Sequence, residues 1–283
     1  MKYKKLIDDV IANINTHIIP RTGTKIYWCK CGRNYQNFGD LITKYIYLKV
    51  SSQKPLWWNN KHTKDPVYLG SGSIMTSCKG WKNVIIWGSG ILHSKDTFDK
   101  PTKILCVRGP LTRKRFLELG YECPEIYGDL GLLLPKFYNP KRDLKFKVGI
   151  IPHYTDFDFC KKLFANYENI LVIDVCNDVE TVVDDICKCE MTMSSSLHGI
   201  IVSHAYNIKS CWAKFSDKIL GDDVKYLDYY YSINLYNVKA PIIVDQEFIS
   251  HNNNALALSE IIQNYPNPNF PINTEKLMKT CPF

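Results

Sequence analysis

Residues 193–206, MSSSLHGIIVSHAY, change from one structural pattern to another within a few residues. The preceding residues and Met193 read as the end of a strand, residues 194–196 as a polar turn, and the rest as a short helix. Leu197, Ile200 and Ile201 have the spacing of an apolar helix face. A strand that leads through a tight turn into a helix is the repeating unit of α/β folds, so this stretch predicts the fold class.

The same turn predicts an anion-binding site. Free N–H groups at a helix start and the helix dipole favour negative charge there. We expect the serine hydroxyls of the turn, including Ser195 and Ser196, to converge on one point with the imidazole of His198, which can donate a hydrogen bond or a proton. The alternative is that His198 is a capping or core histidine. His204 lies six residues further on, rotated by about 240° around the helix, and we predict a structural role for it.

Bulk properties exclude several classes of protein. The net charge is +8, but the basic residues are interspersed, so we predict no nucleic-acid footprint and instead a small anionic substrate. No run of 18 apolar residues occurs, which predicts no membrane span. Residues 1–20 lack the apolar core of a signal peptide.

The eleven cysteines are scattered and odd in number, which favours reduced thiols and a cytoplasmic protein. The two C-x-C pairs lack the usual zinc spacing, so no metal site is predicted.

Apolar strand patterns alternate with helix patterns along most of the chain. The predicted strands are residues 25–30, 67–69, 84–87, 103–107, 125–127, 148–151, 170–175, 191–193 and 210–215. Helices are predicted between them, including residues 41–50, 111–119, 178–187 and 197–205. This alternation predicts an α/β fold with parallel sheets, built as two Rossmann-like domains that face each other across a cleft. The predicted units are an N-terminal domain over 1–138, a C-terminal domain over 139–235, and a tail with one helix over 236–283.

Polar and glycine residues follow three predicted strands of the N-terminal domain, where open α/β sheets place their ligands. Asn37 and Asp40 follow the first strand, and Asp40 either caps the next helix or contacts a substrate. Gly72, Ser73 and Gly90 belong to Gly-Ser-Gly turns after two further strands, which suggests backbone held near a ligand. Neither turn is G-x-G-x-x-G or a P-loop, so no dinucleotide or ATP is inferred.

Charged residues follow further predicted strands. Arg108 stands before a helix that begins near Pro110, where a guanidinium either grips a carboxylate or phosphate or pairs with a neighbouring aspartate. Asp129 lies at another strand tip. His153 occupies the tip of the first strand in the C-terminal domain and is a secondary candidate for the site.

The order of these motifs resembles that of the polysaccharide pyruvyl transferase family over about residues 25–234. The motifs that carry the resemblance are NFGD (37–40), VRGPLTR (107–113), YGDLGLLLP (127–135), IPHYTD (151–156) and SSSLHG (194–199). The resemblance implies a GT-B-like fold. It also implies transfer of the pyruvyl group of phosphoenolpyruvate to a hexose or N-acetylhexosamine of a glycan, as a cyclic ketal.

Under this resemblance the candidate residues acquire roles. His198 is the expected general acid and Arg108 the expected anion clamp, while the carboxylates of Asp40 and Asp129 are candidate bases. The turn residues Ser195, Ser196 and Leu197 are expected to hold the donor. Family members often carry arginine where this chain has Ser196, so the missing charge is expected from Lys214 or Arg108. No metal or cofactor is expected beyond phosphoenolpyruvate as donor, and no oligomeric state is predicted.

Two other functions stay open at this stage. The first is a GT-B glycosyltransferase that uses a nucleotide sugar, with an acidic residue of the loop 215–223 on the ribose. The second is a catalytically silent glycan-binding protein.

Overall fold

The computed structural model describes residues 23–283. The first 22 residues of the predicted N-terminal domain therefore lie outside the described residues. The prediction that residues 1–20 are not a signal peptide concerns this same segment. The strands are β1 (Lys25–Tyr27), β2 (Leu56–Trp57), β3 (Val67–Leu69), β4 (Val84–Trp87), β5 (Lys103–Cys106), β6 (Phe146–Ile151), β7 (Ile170–Val172), β8 (Cys189–Ser194), β9 (Lys209–Lys214) and β10 (Ile242–Ile243).

Helices connect most of these strands. The α-helices are α1 (Phe38–Ser51), α2 (Pro110–Glu118), α3 (Phe157–Leu163), α4 (Val179–Cys187), α5 (Leu197–Ala205), α6 (Val224–Ser232), α7 (Gln246–His251), α8 (Ala255–Gln263) and α9 (Glu275–Lys279). Short 3-10 helices span Arg33–Tyr35, Met75–Cys78 and Leu130–Lys136. None of the helices in the part of the chain from residue 23 onward is long and apolar enough to cross a membrane.

The strands form two parallel five-stranded sheets, so the predicted mixed α/β, Rossmann-like class is confirmed. The first sheet has the order β2-β1-β3-β4-β5 and the second the order β10-β9-β8-β6-β7. In the second sheet Ser194 pairs with Ile151 on one side and with Trp212 on the other. The carboxyl ends of β6, β8 and β9 are therefore in register. Parallel strands place their carboxyl ends, and the loops that follow them, at one edge of each sheet.

One continuous apolar core joins the two sheets. Phe38, Ile42 and Ile46 of α1 recur every four residues and are all fully buried, as expected for a helix with one apolar face. They belong to the same core cluster as Ile150 of β6 and Ile201 of α5. Because α1 follows β1 and α5 follows β8, this packing holds the strand-end loops of the two sheets against each other.

The C-terminal tail contacts both sheets. β10 extends the second sheet beside β9, and the ring of Phe283 packs edge-on against Tyr47, Tyr68 and Trp87 of the first half. The boundaries 1–138, 139–235 and 236–283 stay predictions.

Local details differ from the sequence-based prediction in four places. The tail, predicted to contain one helix, contains three, α7, α8 and α9, and also the strand β10. Residues 125–127 form only an isolated bridge, Val107 to Tyr127, because the segment meets the sheet at one position. β2 lies within a stretch predicted as a loop, and its two residues pair with β1. The sequence analysis did not predict helix α6, because its sequence, VKYLDYYYS, mixes polar and aromatic residues.

The expectation that all cysteines are reduced is wrong for one pair. Cys29 and Cys31, separated by one residue after β1, are joined by a disulfide. Nine other cysteines are free, and seven of these are buried. The close spacing places both sulfurs on one short loop, which the overall cysteine count does not reveal.

Candidate active site

His198 lies where the two halves of the molecule meet. It is the second residue of α5, whose N-cap Ser196 accepts a hydrogen bond from the Gly199 N–H at 3.4 Å. Its Nε2 is 2.8 Å from Ser71 Oγ and 3.5 Å from Asp129 Oδ2, both supplied by the first half of the chain. The residue is 8% exposed, so the imidazole is largely enclosed by these partners.

Asp129 supplies a fixed negative charge behind this imidazole. It is fully buried, and its Oδ1 accepts a hydrogen bond from the Gly131 N–H at 2.8 Å. Burial raises the pKa of Asp129, but the charge and hydrogen bond of His198, the Gly131 N–H and the charge of Arg108 outweigh it and lower the pKa below its usual value. An ionised carboxylate in this position orients the ring.

Asp40 is the second carboxylate beside His198. It does not cap α1, because the side chain of Asn37 does so by accepting from the Gly39 N–H at 3.1 Å; the capping alternative for Asp40 is therefore wrong. No described residue hydrogen-bonds with its carboxyl group. Burial raises the pKa of Asp40 to about 6, against the charge of His198 and with a contribution from Asp129. A carboxyl group with this pKa can exchange protons near neutral pH.

The backbone of α1 approaches the imidazole closely at Gly39. A methyl group on Gly39 would overlap the Nδ1, Cγ and Cβ atoms of His198. Glycine is thus required here for space, because α1 and α5 come from different halves of the chain and meet at this point.

Arg108 is placed differently from the predicted anion clamp. Its side chain is fully buried, and Nε donates to Asp228 Oδ2 at 3.0 Å. Nη1 donates to Ser73 Oγ and Nη2 to the Ile91 carbonyl, each at 2.7 Å. The ion-pair alternative is therefore what the structure shows. Clamping of a substrate by Arg108 stays a prediction and would require these bonds to rearrange.

The Gly-Ser-Gly turns surround Arg108 and Asp40. Gly90 donates its N–H to the Gly72 carbonyl at 3.1 Å, and a Cβ on Gly90 would overlap the Arg108 guanidinium. Gly72 has φ of +110°, and a Cβ there would lie 3.4 Å from Asp40 Oδ1. The close backbone approach is present, but toward protein side chains; contact with a substrate by Gly72, Ser73 and Gly90 stays a prediction.

The expected convergence of three serine hydroxyls is wrong for two of them. Ser194 Oγ lies within hydrogen-bond distance of two carbonyl acceptors, Ile151 at the end of β6 at 2.9 Å and Ser196 in its own turn at 2.8 Å, and it accepts from the Ser196 N–H at 3.1 Å. Ser195 Oγ accepts from the His153 N–H at 2.9 Å. Both serines are fully buried, whereas Ser196 and Leu197 are 6% and 9% exposed. The hydroxyls of Ser194 and Ser195 shape the turn because the strand-end backbone needs these partners.

His153 and Lys214 both lie at strand ends of the second sheet. Burial, together with the charge of Lys225, lowers the pKa of His153 to about 4, so this ring is neutral at neutral pH. Lys214 Nζ lies 2.7 Å from Asp223 Oδ2, and its charge is therefore already paired.

Lys225 is a candidate site residue that the sequence analysis missed. It is the second residue of α6, between Asp223, which pairs with Lys214, and Asp228, which pairs with Arg108. Its Nζ donates to the Leu220 carbonyl at 3.0 Å, and no carboxylate among the described residues pairs with it.

The positive charges of Arg108 and Lys214 act on Lys225. Burial and then the charge of Arg108 lower the pKa of Lys225 to about 8, with Lys214 acting in the same direction and Asp223 opposing. The next residue, Tyr226, donates its hydroxyl hydrogen to the Ser195 carbonyl at 2.7 Å, which ties α6 to the serine turn. No sequence signal marks Lys225, because it acquires these neighbours only when α6 packs between the two halves.

The structural role predicted for His204 is confirmed. It is fully buried, with Nδ1 2.9 Å from the Tyr229 hydroxyl and Nε2 3.2 Å from Asn267 Oδ1. Burial lowers its pKa to about 4.

Comparisons with known proteins identify relatives of this chain. Residues 12–213 match the family described as polysaccharide pyruvyl transferase. An uncharacterized protein of Acanthamoeba polyphaga mimivirus is 30% identical over 201 residues, which cover 68% of this chain and 69% of that protein. The crystal structure of a functionally uncharacterized protein from Klebsiella pneumoniae subsp. pneumoniae NTUH-K2044 aligns with 85% of this chain and 98% of its own, at 14% identity and a TM-score of 0.46.

Proposed function

Because this chain belongs to the polysaccharide pyruvyl transferase family, we propose that it transfers the pyruvyl group of phosphoenolpyruvate to a sugar. The acceptor is a hexose or N-acetylhexosamine of a polysaccharide or glycan, and the product is a cyclic pyruvate ketal. The observation that supports this reaction best is the group formed by His198, Asp129 and Asp40, which offers one acid and one base beside each other.

The two carboxylates have different environments, and this difference suggests their roles. Asp129 is ionised, fully buried and next to His198 Nε2, so it orients the ring that donates a proton in this proposal. Asp40 has a pKa of about 6 and no hydrogen-bond partner among the described residues, so above that pH it is a free base. The first sugar hydroxyl loses its proton to Asp40 in this assignment.

The proposed reaction forms two C–O bonds to the sugar and breaks the C–O bond to phosphate. His198 protonates the methylene carbon of phosphoenolpyruvate while the first sugar oxygen bonds to the neighbouring enol carbon. The C–O bond to phosphate then breaks, and inorganic phosphate leaves with the bonding electrons. A second sugar hydroxyl attacks the same carbon and passes its proton to the departing phosphate, which closes the ketal. These steps require no metal and no organic cofactor.

The anionic donor needs positive charge that is not already neutralised. Arg108 and Lys214 are paired with Asp228 and Asp223, whereas Lys225 has no carboxylate partner among the described residues. We assign Lys225 to the phosphate or carboxylate of the donor, where an added anion relieves the repulsion between Lys225 and Arg108. Such a charge-assisted bond contributes roughly 1.5–3 kcal/mol.

The finer architecture is part of the same proposal. We infer that the strand-end edges of the two sheets face each other across a GT-B-like cleft, with the donor near α5 and α6 and the acceptor near α1. A cytoplasmic location suits the nine cysteines that remain as thiols.

The first experiment measures phosphate release and acceptor mass after incubation with phosphoenolpyruvate and a panel of sugar acceptors. Wild type is expected to release phosphate and to add one pyruvate ketal per acceptor, and His198→Ala to lose this activity. The proposal fails if wild type releases phosphate no faster than His198→Ala. His204→Gln is the control, since its side chain lies away from His198 and can keep a hydrogen bond.

The second experiment tests the donor contact. Lys225→Met is expected to raise the KM for phosphoenolpyruvate roughly tenfold or more, because 1.4 kcal/mol corresponds to a factor of ten. Lys218→Met, at an exposed position of the preceding loop, is the matched control and should keep the wild-type KM. An unchanged KM in Lys225→Met would remove this residue from the donor site.

A further inference from the structure

The loop that follows β1 brings two sulfur atoms to the wall of the candidate site. Cys29 and Cys31 are each partly exposed, unlike the seven buried thiols elsewhere in the described chain. Their sulfurs and one carboxylate oxygen of Asp40 all lie within 4.8 Å of one another. The cluster shares Asp40 with the candidate site but adds two sulfur atoms to it.

The third member of the cluster, Asp40, has a carboxylate without a hydrogen-bond partner among the described residues. The side chain of Asp40 makes no hydrogen bond and no ion pair to any described residue, although it is partly buried at the start of α1. A partly buried carboxylate without a partner is costly, and a cation is the partner that would satisfy it. The sulfurs beside it determine which cation fits.

We propose that the dithiol form of Cys29 and Cys31, together with Asp40, binds one thiophilic divalent cation such as Zn²⁺. Two thiolates and one carboxylate are donors that zinc accepts, and three protein ligands leave a fourth position for water. The residue order C-x-C is shorter than in common zinc sites, and the third ligand comes from the next helix rather than from a second cysteine pair. The sequence spacing therefore conceals the site.

The disulfide and the cation exclude each other. The disulfide present in the structure leaves no thiolate to bind a metal. Two electrons and two protons from a dithiol reductant convert it to two thiols, while the reductant itself becomes a disulfide. Zinc then displaces the thiol protons as it binds. The redox state of the loop thus decides whether the cation binds.

Occupancy has a consequence for the proposed transfer reaction, and this consequence rests on the proposed function. A cation bound to Asp40 removes the base assigned to the first sugar hydroxyl. Zinc is therefore expected to inhibit phosphate release by the reduced protein and to leave the disulfide form unaffected. Metal binding itself is measured without any assay of activity, so the two proposals can fail separately.

The deciding experiment titrates zinc into the full chain against a chromophoric chelator, after reduction and removal of metal. One equivalent is expected to bind to the reduced wild type and none to the disulfide form. Cys29→Ser and Cys31→Ser should each lose it, whereas Asp40→Asn should bind roughly tenfold more weakly or worse because an amide is a poor zinc ligand. Cys281→Ser, at another partly exposed thiol, should bind like wild type.

A second measurement uses wild type alone and does not depend on the folding of any variant. Zinc should protect Cys29 and Cys31 from alkylation, read by mass spectrometry of the peptides, while the reactivity of Cys281 is unchanged. The proposal is overturned if the reduced wild type binds no zinc equivalent. It is equally overturned if zinc protects neither cysteine, or if a folded Cys29→Ser protein retains wild-type affinity.

Discussion

Replacing Asp228 by asparagine tests whether the buried pair with Arg108 holds the two halves together. Asp228 and Arg108 are both fully buried, and the carboxylate also accepts from the Thr112 N–H at 2.8 Å and from Thr112 Oγ1 at 2.6 Å. Asp228→Asn keeps the size of the side chain and removes its charge. The guanidinium of Arg108 then keeps its bonds to Ser73 and the Ile91 carbonyl but is left as an uncompensated buried charge.

The expected loss in the free energy of unfolding is about 3–5 kcal/mol, the usual cost of removing one partner of a buried ion pair. Asp223→Asn is the matched control. This variant breaks the ion pair with Lys214. The side chains of Lys214 and Asp223 are 27% and 38% exposed, and an exposed ion pair contributes about 0–1 kcal/mol. Asparagine also tolerates the positive φ of 67° at this position.

The assay is urea unfolding followed by tryptophan fluorescence, with the midpoint and slope compared across wild type and both variants. Asp228→Asn should move the midpoint several times further than Asp223→Asn. The reasoning is refuted if the two variants lose the same free energy, or if Asp228→Asn loses less than about 1 kcal/mol. Circular dichroism before the titration establishes that each variant begins from a folded state.

Three further predictions concern single side chains near the site or in the core. Gly39→Ala should lower phosphate release and cost about 1–3 kcal/mol, since the new methyl group overlaps His198; a fully active and more stable variant would disprove this contact. Because the pKa of His204 is lowered to about 4, its contribution to stability is complete above its ordinary pKa of 6.5 and is lost as the pH falls toward 4. The free energy of unfolding, measured by urea titration, should therefore fall by about 2 kcal/mol between pH 7 and 5, and by less in His204→Gln. Since the base assigned to Asp40 must be ionised, activity should rise with pH through about 6; a profile without this limb would remove Asp40 from that role.

Much of the fold can be predicted from local patterns. The predicted limits of β3, β4 and α5 agree with the structure because short apolar strands and capped helices are specified by neighbouring residues. The strand, turn and helix of residues 193–206 also form as predicted. The errors fall on short segments such as β2, whose pairing depends on a strand far away in the chain.

The candidate site depends more than the fold on contacts between residues that are far apart in the chain. The sequence identifies His198, Asp129 and Asp40 as strand-end or helix-start residues, and the structure brings them together over separations such as the 127 residues between Ser71 and His198. The structure also shows two features that the pattern of motifs could not. Arg108 is hydrogen-bonded to Asp228, 120 residues away, and Lys225 lies near this pair.

By itself, then, the sequence determined the alternation of strands and helices, the family and the histidine to test, because these depend on residue types at short spacing. The tertiary structure decided which charges are already neutralised, which serine hydroxyls are already used, and that Asp40 lies beside both His198 and the Cys29–Cys31 disulfide. The physical reason is that burial and charge pairing depend on every neighbour in space, and most of those neighbours lie in the other half of the chain.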